Sequence, residues 1–82
     1  MVYRTKGTCS QAINVEAENG IVTKVQFVGG CVGNTAGIAK LVVGMKVDDV
    51  INRLEGTTCG PRPTSCPDQL AKALKQLKSE QQ

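Results

Sequence analysis

Histidine and tryptophan are both absent from this chain of 82 residues, and its aromatic side chains are limited to Tyr3 and Phe27. Without histidine, the commonest general base and the commonest metal ligand are missing together. With so few aromatics, the core has to be assembled from Val, Ile, Leu and Ala, and no stacking platform exists for single-stranded nucleic acid. A net charge of +3 is spread along the chain, so duplex nucleic acid is also a poor partner. No apolar run approaches the length of a bilayer span, and the opening residues MVYRTKGTC lack the apolar stretch of a signal peptide. The expectation is a cytoplasmic protein with no membrane partner.

What the chain does have is cysteine: Cys9, Cys31, Cys59 and Cys66. In a reducing compartment an even count reads as metal binding, redox work or buried packing before it reads as a disulfide framework. The length allows one domain, residues 1–82, with a modest core. Chains this short often gain a staple from a metal or from a partner subunit, a second copy included.

The segment Gln11 to Glu18 alternates, with Ile13, Val15 and Ala17 on one face and Asn14, Glu16 and Glu18 on the other. This predicts a half-buried strand. After Asn19-Gly20 a second run puts Ile21, Thr23, Val25 and Phe27 on one face, completing a hairpin. A two-residue loop would pair Val15 with Lys24 and mix the faces. The expectation is therefore a three-residue loop, Glu18-Asn19-Gly20, with Ile13 beside Val25, Val15 beside Thr23 and Ala17 beside Ile21. Residues Val2 to Thr8 supply a third strand that delivers Cys9 to the sheet end.

From Gly29 onward the period becomes helical. Ile38, Leu41 and Val42 mark a first helix, with Asn34 or Thr35 as N-cap and Gly44 as the stop. Val47, Val50, Ile51 and Leu54 mark a second, with Asp48 and Asp49 in its first turn, an Asp49–Arg53 pair and Gly56 at its end. A third opens at Ser65-Cys66-Pro67-Asp68, with the look of a capping box and with Pro in the first turn, and carries Leu70, Ala73, Leu74 and Leu77 on one face. Lys72, Lys75 and Lys78 face water. The predicted fold is α+β: a three-stranded antiparallel sheet followed by three helices packed on one face.

All four cysteines fall at the ends of these elements, so one shared thiol site is the expectation. Tetrathiolate coordination suits zinc or an iron–sulfur cluster. No pair forms a C-x-x-C knuckle, and separate cysteines filling small buried sites are the competing reading. Cys31 and Cys66 are the expected reactive thiols, because each precedes or begins a helix whose N-terminal amides favour the thiolate. The turn Gly29-Gly30-Cys31-Val32-Gly33-Asn34 can offer N–H groups to an anion or phosphate at Gly30, Gly33 and Asn34, with Arg62 nearby, although it lacks the G-x-x-x-x-G-K-[ST] pattern.

At Thr64-Ser65-Cys66-Pro67-Asp68 the chain spells TSCPD. With Gly29 to Asn34 and Cys59-Gly60, it resembles the TSCPD-domain family along nearly its whole length. That family is similar to a segment at the C-terminal end of adenosylcobalamin-dependent ribonucleotide reductases. The resemblance implies a link to deoxyribonucleotide synthesis or nucleotide binding, and a reductase or another enzyme as partner. It does not imply reductase catalysis, because the radical-generating barrel cannot fit in this length. A weaker resemblance is to U-type scaffolds of iron–sulfur cluster assembly. On that pattern Cys9, Cys31 and Cys66 take ligand positions, and Cys59 stands in for a histidine that this chain lacks. Thiol redox chemistry and iron–sulfur carriage remain alternatives to a metal- or nucleotide-binding accessory module.

Overall fold

A computed structural model describes residues 1–5, 10–29, 32–58, 61 and 64–80, with the side chains of residues 10 and 32–34 outside that description. Three strands, β1 (Val2–Arg4), β2 (Ser10–Glu18) and β3 (Ile21–Gly29), are followed by three helices, α1 (Val32–Val42), α2 (Val47–Leu54) and α3 (Cys66–Glu80). The sheet is antiparallel in the order β1-β2-β3. α1 packs on β3, and α3 packs on β2 and α2. This is the α+β architecture that the change of hydrophobic period predicts. β1 is shorter than expected, ending at Arg4, and the expected delivery of Cys9 by the first strand lies outside the described residues.

The hairpin corrects the expected register. Glu18 pairs with Ile21 across a two-residue loop, in which Asn19 and Gly20 both take positive φ, 54° and 78°. Two positive φ values make the tight turn that Asn-Gly favours. The faces do not mix, because the register then shifts: Ala17 pairs with Val22 but Glu16 with Lys24, leaving Thr23 unmatched. This bulge switches the phase of β3. Val22 is buried on the near side of it, while Val25 and Phe27 face the core on the far side, opposite Val15 and Ile13.

The core joins Ile13, Val15 and Val22 of the sheet to Val42, Val47, Val50, Ile51, Leu70, Ala73, Leu74 and Leu77 of the helices. Leu41 departs from the expected apolar face of α1: it is 75% exposed, whereas Val42 is buried. α1 also begins earlier than expected, at Val32, so Asn34 and Thr35 lie inside the helix rather than capping it. Its end agrees with expectation, with Gly44 at φ +93°.

Hydrogen bonds set the direction of each helix against the sheet. α1 starts just after Gly29 and ends where Gly44 N–H donates to Val22 O at 2.8 Å. α2 starts at the hairpin turn, where Val47 N–H donates to Gly20 O at 2.9 Å, and runs back from it. α3 returns, bringing Leu77 and Lys78 beside Asn19, Gly20 and Ile21. Lys78 there pairs with Asp48 at 2.5 Å and Lys75 with Glu55; the expected Asp49–Arg53 pair does not form.

Candidate thiol site

The connection from α2 to α3 is held by the motif residues. Ser65 is the N-cap of α3: its Oγ accepts from Asp68 N–H at 3.2 Å, and its carbonyl accepts from Gln69 N–H at 2.9 Å. The same Oγ donates to Thr57 O at 2.6 Å, tying the start of the connection to its end. Asp68 is 3% exposed, and both its carboxylate oxygens are engaged. Oδ1 accepts from Gly56 N–H at 2.8 Å; Oδ2 accepts from the Thr64 hydroxyl and pairs with Lys72 at 3.1 Å. Burial pushes the Asp68 carboxyl up, but hydrogen bonds from Thr64, Gly56 and Lys72 outweigh it and hold its pKa below the ordinary 3.8. Thr64, also buried, accepts in turn from Gln69 Nε2 at 3.0 Å. Among the described residues no buried side-chain polar atom lacks a partner.

Ser65 and Asp68 of the motif therefore serve the backbone, and Thr64 bonds the side chains of Asp68 and Gln69. Pro67 fits the first helical turn, where its missing N–H is no loss. Cys66, the first residue of α3, is half-buried, one residue after the anchored Ser65 and two before the anchored Asp68. The network combines the cap read from the sequence with a part that was missed, namely the reach of Asp68 to Gly56 and of Ser65 to Thr57. The available signal was a hydroxyl and a carboxylate spaced i, i+4 at Thr64 and Asp68.

Of the expected site residues, Cys66 is described at the start of α3. Cys9, Cys31, Cys59, Gly30 and Arg62 lie outside the described residues. Gly33 and Asn34 lie in the first turn of α1 rather than in a loop before it. Among the described residues no group of three or more His, Cys, Asp and Glu could hold a metal ion.

The described neighbours of the remaining cysteines have definite places. Ser10, next to Cys9 in sequence, pairs with Gly29 at the sheet end away from the hairpin turn. Val32, next to Cys31, opens α1 at that end. Thr57, two residues before Cys59, is bonded to Ser65, next to Cys66. In α3, Leu77 lies beside the hairpin turn and Cys66 opens the helix eleven residues earlier, about 16 Å of helix away.

A family model, the TSCPD domain, matches residues 1–78. The chain belongs to the TSCPD-domain family. No curated protein and no solved structure matches it. Within this TSCPD domain the defining pentapeptide sits where the α2–α3 connection meets α3, and no described helix is long and apolar enough to cross a membrane.

Proposed function

We propose that this TSCPD domain is a ribonucleotide-reductase-associated accessory module whose four cysteines, Cys9, Cys31, Cys59 and Cys66, form one metal-binding thiol site for zinc or an iron–sulfur cluster. The observation that carries this reading is the placement of their described neighbours. Ser10 and Gly29 pair at one sheet end, Val32 opens α1 there, and Thr57 is tied to Ser65 beside Cys66. Peptide geometry keeps each cysteine within one or two Cα steps of those anchors, about 3.8 Å per step.

The chemistry of the donor set fits. Four sulfurs and no histidine match a tetrathiolate site. A bound metal would cross-link the strand end, the start of α1 and the α2–α3 connection, which is a useful staple for a core whose buried side chains are all aliphatic. The two acidic residues in the first turn of α2 are exposed at its hairpin-turn end, and the Asp68 carboxylate near Cys66 is already engaged by Gly56, Thr64 and Lys72. Elemental analysis and a visible spectrum of anaerobically purified protein test the proposal. Zinc, or iron with sulfide, at one site per chain is the expected result. Metal-free protein that takes up neither would overturn it and favour thiol redox chemistry, and a stability gain on adding nucleoside phosphates would favour a nucleotide module.

A further inference from the structure

We propose that Thr64 and Asp68 are positioning residues for the Cys66 site, latching the α2–α3 connection onto the first turn of α3 and so fixing where Cys66 is presented. The inference rests on the thiol-site reading and names what organises that site within the protein.

An acid in the first turn of a helix needs no burial to favour the helix dipole. Asp48 and Asp49 show this in α2, where both are exposed. Asp68 is different, because its carboxylate is buried and gathers donors from three parts of the chain: Gly56 just beyond α2, Thr64 at the end of the connection, and Lys72 in α3. Burying a carboxylate is costly unless its oxygens are bonded, so the arrangement holds only while the connection is closed. Thr64 is tied a second time through Gln69, and Ser65 holds Thr57. The connection is thus pinned at both ends, Gly56–Thr57 and Thr64–Ser65, around the residue that carries the thiol.

The latch is separable from the fold. α3 is anchored to the sheet by Leu70, Leu74 and Leu77, which begin four residues after Cys66 and pack in the same core as Ile13 and Val15. Loss of the latch should loosen the first turn of α3 and leave the rest of the helix docked, since local opening follows local contacts.

Three variants test this. Thr64→Val keeps the shape and removes the hydroxyl, Thr64→Ser keeps the hydroxyl, and Val22→Ala lowers global stability from the far side of the core, near the hairpin turn. Zinc affinity is read by competition with a chromophoric chelator, and the reactivity of Cys66 in metal-free protein by its alkylation with iodoacetamide, located by peptide mass spectrometry. Thr64→Val is expected to weaken zinc binding roughly 10- to 100-fold and to speed alkylation of Cys66 by about threefold or more. Thr64→Ser should match the wild type in both, and Val22→Ala should leave both near wild type below its melting temperature. Equal effects of Thr64→Val and Val22→Ala, or failure of Thr64→Ser to restore wild-type values, would overturn the latch. If the wild type binds no zinc, the metal reading fails, and alkylation alone decides for or against the latch. If Thr64→Val does not fold, hydrogen exchange of the wild type decides: Gly56 and Asp68 amides that open together support the latch, and independent exchange overturns it.

Discussion

The Gly56 amide donates to Asp68 Oδ1 at 2.8 Å, joining the residue just beyond α2 to the first turn of α3. The two are twelve positions apart in sequence, and the bond closes the connection that ends in Thr64 and Ser65 of the TSCPD pentapeptide. A buried carboxylate held this way has consequences that can be measured.

The first concerns pH. The folded pKa of Asp68 is depressed, so its contribution to stability is fully present above the ordinary 3.8 and is lost as the pH falls through the lowered folded value. Asp68→Asn should destabilise at neutral pH by about 1–3 kcal/mol. In denaturant titrations from neutral to acid pH, the gap between the variant and the wild type should close as the pH drops below the carboxylate range. A constant gap would show that ionised Asp68 adds nothing.

The second concerns the hairpin. Gly20 has φ +78° and open space around the position of a Cβ, so a side chain there meets backbone strain and no clash. Gly20→Val should cost about 1 kcal/mol or more, since a β-branched residue resists positive φ. Deletion of Thr23 should be tolerated better, because it removes only the unmatched residue and leaves Ala17 opposite Val22, Glu16 opposite Lys24 and Val15 opposite Val25. Thermal melts of the two variants provide the comparison.

The third separates two leucines that the helical period alone treats alike. Leu74 is fully buried and Leu41 is 75% exposed. Leu74→Ala should lose about 2–5 kcal/mol, and Leu41→Ala should stay within about 0.5 kcal/mol of wild type. Chemical denaturation curves measure both.

The fourth addresses the thiol site directly. A metal bound only by the folded state adds its binding free energy to folding. Cys31→Ser and Cys66→Ser should therefore melt well below the metal-loaded wild type and no longer respond to chelator, while chelator should lower the melting temperature of the wild type. Wild type insensitive to chelator, with both variants melting beside it, would leave the cysteines as packing residues.

The elements of this protein follow from local chemistry. Alternation in Ile13, Val15 and Ala17 makes a strand, helical spacing in Leu70, Ala73, Leu74 and Leu77 makes a helix, and the four cysteines at element ends nominate a site. Register did not follow, because a single unmatched residue, Thr23, reverses which side of β3 faces inward, and a bulge leaves no mark in an alternating pattern. Nor did the exposure of Leu41, since the apolar stripe of a helix as short as α1 admits more than one orientation until the helix meets β3. The sequence by itself determined the α+β class and the position of the α3 cap, each of which depends on residues a few positions apart. Only the tertiary structure decided that Asp68 reaches across to Gly56 and that α3 brings Leu77 back beside the hairpin turn. Those relations join residues distant in the chain, and the packing of the helices on one shared core sets them.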